Sequence, residues 1–155
     1  IKEQKSVTYI ATSNPSPNDP DWQQRIDRHK KRRPKSWKLI EHPKDICKII
    51  ESITENESIL IDSLGGLVAD HLSEEEDNWK IYQNNLLKGF TEHNLFVVVV
   101  SEEVGWGIVP ATPIGYLFRE RLSSLISLIS VHSKKRFLAV NGIAIDLDKI
   151  GDPIP

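Results

Sequence analysis

Three short, β-branched apolar runs decide most of what this chain can fold into. They are VTYIA (Val7 to Ala11), SILID (Ser58 to Asp62) and LFVVVVS (Leu95 to Ser101). A strand with one wet face alternates apolar and polar residues. A nearly continuous apolar run suits a strand covered on both faces, the normal condition of a parallel sheet. Phe137 to Val140 (FLAV) has the same character and is expected to join them as a fourth strand. The intervening segments carry helical spacing. Asp19 followed by Pro20 signals a helix start, continuing through about Arg33. Ile46, Ile49, Ile50 and Ile53 mark a second helix, and Trp79, Tyr82, Leu86, Leu87 and Phe90 a third, from about Glu74 to His93. Leu117, Phe118, Leu122, Leu125, Ile126 and Ile129 mark a fourth, from about Ile114 to Val131. Strands separated by helices predict an α/β fold: a mostly parallel sheet with helices on both faces.

A chain of 155 residues is one domain, 1–155, able to bury about 70% of its unfolded surface. The longest apolar run is far too short to cross a bilayer, so no membrane span is expected. A single cysteine, Cys47, excludes an internal disulfide and fits a reducing cytoplasm. Its neighbours Ile46, Ile49 and Ile50 suggest a buried small side chain rather than a reactive thiol. The chain has no methionine and opens on Ile1-Lys2-Glu3-Gln4-Lys5, so a segment upstream is expected to be missing.

Charge is distributed unevenly. The formal net charge is −2, yet eight of the 20 lysines and arginines fall within RIDRHKKRRPKSWK, residues 25 to 38. On a helix from Pro20, residues 22, 26, 29 and 33 share a face, so Trp22 and Ile26 can anchor it while His29 and Arg33 emerge at its rim. A solvated face or a nucleic-acid patch would explain the cations alone. Nucleic-acid surfaces, however, usually spread their cations and interleave aromatics, whereas these crowd one helix end. The alternative is a nucleotide phosphate site. Lys30, Lys31, Arg32 and Arg33 would neutralise a triphosphate, and His29 would attack its α-phosphorus. Neighbouring cations favour the neutral imidazole that a nucleophile requires.

Two further stretches lie at strand ends, where open α/β sheets bind ligands. SILIDSLGG ends an apolar strand on Asp62, the arrangement by which a P-loop NTPase holds Mg²⁺; a helix-capping Asp accounts for the same pattern equally well. SEEVGWGIVP, Ser101 to Pro110, places Trp106 between two glycines in a loop able to approach a ligand closely, or in a tight structural turn.

Taken in order, VTYIATS (7–13), RIDRHKKRRPKSWKLIE (25–41), ILIDSLGGLVADHL (59–72) and SEEVGWGIVP (101–110) resemble the adenosylcobinamide kinase/adenosylcobinamide-phosphate guanylyltransferase family of cobalamin biosynthesis. The tail LAVNGIAIDL (138–147) looks like that family's last strand. The resemblance implies a P-loop NTPase-like fold and two reactions. The family phosphorylates a hydroxyl of adenosylcobinamide with ATP or GTP, then transfers GMP from GTP onto that phosphate. By the same resemblance His29 is the histidine that becomes guanylylated. Lys30, Lys31, Arg32, Arg33, Ser13, Asn14, Pro15, Glu41 and Asp62 match GTP-contacting positions, and Asp62 is the metal residue for Mg²⁺. Adenosylcobinamide and its phosphate would be the partners, without nucleic acid, in a homo-oligomer of the cytoplasm.

The chain departs from the family in two places. The family's first strand and Gly-rich G-x-x-x-S-G-K-S loop are absent from this sequence, whose first residues align with the end of the helix after that loop. Ser123 and Ile126 stand where many members carry Gly and Asn, which removes polar contacts expected from that helix. Two rival expectations follow from the first departure. One is a catalytically inactive remnant that binds a partner subunit or nucleic acid through the basic helix. The other is an enzyme that guanylylates without phosphorylating.

Overall fold

The structure, a computed structural model, describes residues 6–14, 18–54 and 57–152. Its elements run β1 (Ser6–Ala11), α1 (Pro20–Arg32), β2 (Lys38–Glu41), α2 (Ile46–Ser52), β3 (Glu57–Asp62), α3 (Leu64–Asp70), α4 (Glu76–Glu92), β4 (Phe96–Val100), α5 (Pro113–His132), β5 (Phe137–Val140) and β6 (Ile143–Asp146). A single 3₁₀ turn, Leu147–Lys149, follows. The first four strands form one sheet in the order β2-β1-β3-β4, every pair parallel. Parallel neighbours need a crossover, and each connection supplies at least one helix. The α/β architecture expected from the apolar runs is therefore present.

Register places the site. Across the sheet Glu41 pairs with Ala11, Ala11 with Asp62 and Asp62 with Val100, so four carboxyl ends align along one edge. Successive strand residues point to opposite faces. Ile10, Ile59 and Ile61 point to one face and are fully buried there against Ile46 and Ile50 of α2, Val68 of α3, Leu86 of α4, and Leu122 and Leu125 of α5. Each such side chain contributes about 1.5–3 kcal/mol by leaving water. Tyr9 points to the other face, where its ring stacks on Trp37 at 6.3 Å. The helices start where their caps dictate. Asp45 accepts from Lys48 N at 3.1 Å ahead of α2, and Thr112 accepts from Gly115 N at 3.2 Å ahead of α5, whose first residue is Pro113.

The expected fourth strand of the parallel sheet needs correction. Phe137–Val140 is a strand, but it pairs antiparallel with β6 in a separate two-stranded hairpin. The reason is the turn between them: Asn141 (φ 50°) and Gly142 (φ 80°) both take left-handed backbone. Asn-Gly is the commonest pair for a tight hairpin turn, and it returns the chain before any crossover can form.

A buried arginine joins the two helix pairs. Arg121 of α5 donates to the carbonyls of His71 at 2.6 Å and Glu74 at 2.8 Å, and lies 5.3 Å from the Trp79 ring centroid. It gives the Glu74 carbonyl a donor and adds a second to the His71 carbonyl, which also accepts from Glu74 N at 3.1 Å.

Candidate functional site

The aligned edge is built around a side-chain clasp between β1 and β3. Thr12, the residue after β1, donates its hydroxyl to the Ser63 carbonyl at 2.6 Å and accepts from Ser63 N at 2.8 Å. Thr12 N also donates to the Asp62 carbonyl at 3.0 Å. All of this is buried, so both strands leave the sheet in fixed directions. Gly66, one turn into α3, lies so close that a Cβ there would meet Thr12 Oγ1 at 2.3 Å and Ser13 N at 2.9 Å. Only glycine allows that approach. Gly65 is held from the other side, its N–H donating to Glu102 Oε2 at 3.1 Å, while the Ser63 hydroxyl donates to Glu102 Oε1. The root of the Ser101–Pro110 loop is thereby fastened beside Asp62.

Asp62 is half-buried and accepts a hydrogen bond from the Tyr9 hydroxyl. Ser13 and Asn14 are exposed just beyond β1, two positions across the clasp. Pro15 lies outside the described residues. On the far side of β1, His42 adopts left-handed backbone (φ 42°) as the chain leaves β2. Its N–H donates to the Ala11 carbonyl at 2.7 Å, and its Nδ1 lies 3.3 Å from the Thr12 carbonyl and 3.6 Å from Asp70 Oδ2.

The cationic helix end comes to this edge. His29, Lys30, Lys31 and Arg32 occupy the last turn of α1 and are exposed. Lys30 Nζ lies 3.0 Å from Glu41 Oε1, with both side chains about half exposed (45% and 50%). Arg33, partly buried, sets its guanidinium 4.0 Å from the centroid of the Tyr9 ring. The structure thus connects Arg33 and Asp62 through Tyr9, and places the separate Lys30–Glu41 pair at the same strand-end edge. The side chains of His29, Lys31 and Arg32 make no hydrogen bond, ion pair or ring contact among the described residues. Trp22, expected to anchor α1, has a side chain outside the described set; Ile26 is half-buried. Trp106 is 74% exposed and Ile108 96%, so the Gly-Trp-Gly loop projects outward instead of packing over the sheet.

Glu103 Oε1 accepts from Gly105 N at 2.9 Å and Arg119 donates to the Gly105 carbonyl at 3.1 Å, bracing that loop. A divalent cation fits this edge in one manner. No group of three or more His, Cys, Asp or Glu able to hold a metal occurs among the described residues. Mg²⁺, however, takes only one or two carboxylates and completes its shell with water and substrate phosphates. Asp62 supplies one such hard oxygen donor at the strand end, with Tyr9 occupying part of its accepting capacity. No helix is long and apolar enough to cross a membrane among the described residues.

Residues 1–147 match the family of cobinamide kinase / cobinamide phosphate guanyltransferase. The chain belongs to this family. It is also similar to the bifunctional adenosylcobalamin biosynthesis protein CobU of Escherichia coli (strain K12), at 26% identity over 95% of this chain and 88% of that protein. Tyr9, Thr12, Ser63 and Glu102 were not legible as site residues. Their roles arise from contacts across 37 or more positions of sequence, for which a single chain carries no local signal.

Proposed function

We propose that the protein carries out both family reactions, with His29 as the residue that holds GMP between donor and acceptor. In the first reaction the cobinamide hydroxyl attacks the γ-phosphorus of ATP or GTP. A P–O bond forms to the hydroxyl oxygen, the β–γ bridge breaks, the nucleoside diphosphate leaves and the hydroxyl proton is released. In the second, a neutral ring nitrogen of His29 attacks the α-phosphorus of GTP. The N–P bond forms as the α–β bridge breaks and pyrophosphate departs with the electron pair. A phosphate oxygen of cobinamide phosphate then attacks the same phosphorus, and the imidazole leaves as the N–P bond breaks.

The observation that carries this reading is the Lys30–Glu41 pair, which draws the cationic end of α1 to the sheet edge that also ends in Asp62. An exposed pair of this kind is worth only about 0.2–1 kcal/mol. A triphosphate therefore displaces Glu41 from Lys30 at small cost, and the freed carboxylate is suited to accept from ribose hydroxyls. Lys31, Arg32 and Arg33 neutralise the remaining phosphate charge; Ser13 and Asn14 line the same edge, and Pro15 belongs to the proposed GTP site by the family resemblance alone. Asp62 would hold Mg²⁺, which supplies charge neutralisation at the bridging phosphate oxygens when bound. A reducing cytoplasm, cobinamide and its phosphate as substrates, and association into a homo-oligomer complete the proposal.

The test compares the two half-reactions in the full-length protein. His29→Ala is expected to abolish GMP transfer and keep cobinamide phosphorylation, since phosphoryl transfer to a hydroxyl needs positioning and metal but no imidazole. Equal loss of both would make His29 structural. Loss of neither would move the nucleophile away from His29, whereas a parent protein with neither activity would favour the inactive remnant that binds partners through its basic helix.

A further inference from the structure

We propose that Tyr9 is a positioning residue that couples the two chemistries of this edge: its hydroxyl orients Asp62 and its ring seats Arg33. This rests on the function proposed above and goes beyond it, because it assigns a role to a buried strand residue that the proposed site does not include.

Four observations converge on this side chain. Tyr9 lies in the middle of β1, 7% exposed, paired to Leu39 on one side and Leu60 on the other, so its backbone cannot shift without breaking the sheet. Its hydroxyl donates to Asp62 Oδ2. Its ring face carries the Arg33 guanidinium at 4.0 Å, four residues beyond His29 and just past the end of α1. Trp37 stacks on the same ring at 6.3 Å, which limits its rotation.

The chemistry of each end is distinct. A carboxylate that holds a metal must present one oxygen in a fixed direction, and the groups that hydrogen-bond such ligands typically set metal affinity or activity by about 10–100-fold. A guanidinium seated over an aromatic ring keeps its N–H fork in the ring plane's neighbourhood and free to meet phosphate. A tyrosine that merely satisfied its own buried hydroxyl would need only the first contact and would be indifferent to nucleotide.

The two ends can be separated by substitution in the full-length protein. Tyr9→Phe keeps the ring and removes the hydroxyl; Tyr9→Leu removes both. Mn²⁺ binding is read by its paramagnetic signal in the presence of guanosine α,β-methylene triphosphate, which cannot transfer GMP. Tyr9→Phe is expected to weaken Mn²⁺ binding about 10–100-fold. It should also slow His29 adduct formation with GTP while leaving KM for GTP within about twofold, since the ring still seats Arg33. Tyr9→Leu should in addition raise KM for GTP as far as Arg33→Ala does. Wild-type Mn²⁺ affinity in a folded Tyr9→Phe protein would overturn the proposal, as would equal KM shifts in the two variants or no Mn²⁺ binding by the parent protein. A parent protein that binds Mn²⁺ yet forms no adduct would refute the proposed function instead, while the Mn²⁺ comparison would still decide the role of Tyr9.

Discussion

Gly66→Ala tests the clasp that gives the candidate site its shape. The new methyl would stand 2.3 Å from Thr12 Oγ1, 2.8 Å from the Thr12 carbonyl carbon and 2.9 Å from Ser13 N. Two of those three atoms are backbone, so rotating one side chain cannot relieve the contact. Either α3 retreats from β1 or the 12–13 segment moves outward. Both responses stretch the Thr12–Ser63 bonds, now 2.6 and 2.8 Å. Losing two buried bonds and leaving their groups unsatisfied costs about 1–3 kcal/mol each. Alanine returns about 1 kcal/mol of helix propensity. The net destabilisation is about 1–5 kcal/mol, which for a domain of this size lowers Tm by roughly 2–20 °C. Urea unfolding should show a lower midpoint at unchanged slope. Gly107→Ala is the control, because its Cβ would meet nothing nearer than the Val104 carbonyl oxygen at 3.8 Å; it should unfold like the parent. A Gly66→Ala protein within about 0.5 kcal/mol of the parent would show that this close approach is not what fixes the edge.

Asp62→Asn should melt close to the parent temperature while turnover in both half-reactions falls by orders of magnitude; an early-melting variant with full turnover would make Asp62 a capping residue. Arg121→Met should lose about 1–3 kcal/mol in a thermal melt, because it strands the Glu74 carbonyl and takes one of two donors from the His71 carbonyl, with the GTP adduct still forming in the folded fraction. Cys47 is pushed up to about 11 by burial first, then by Asp45 and Glu51. Its thiol therefore stays protonated when folded, and alkylation at a pH of about 8.5 should run roughly a hundredfold slower than in urea. The same shift makes Cys47 stabilising below its unfolded pKa. That contribution disappears as pH rises towards about 11, so Cys47→Ala should flatten the alkaline arm of the stability curve.

Some of this architecture was plain in the residues. The β-branched runs at 7–11, 58–62 and 95–101 had one reasonable reading, and each is a strand of the parallel sheet. Asp19-Pro20 marks a helix start by rules local to a few residues, and α1 begins at Pro20. The short helix α3 was not anticipated: seven residues containing Gly65 and Gly66 show too little periodicity, and the glycines serve close packing instead of helix propensity. Phe137–Val140 was assigned to the wrong sheet because its apolar run outweighed the Asn141-Gly142 turn beside it. The site divides likewise. Clustered charge marked the end of α1, and a strand-end position marked Asp62. Tyr9, which joins them, reads as one more apolar β residue until the fold sets Arg33 on its ring.

The central claim is that His29 carries GMP. Incubating the full-length protein with GTP labelled at the α-phosphate, quenching, and mapping the label by peptide mass spectrometry tests it most directly. A phosphoramidate on His29 is predicted, lost in acid and retained in alkali. Label on His42, His71, His93 or His132, or an alkali-labile label on any residue, would contradict the account.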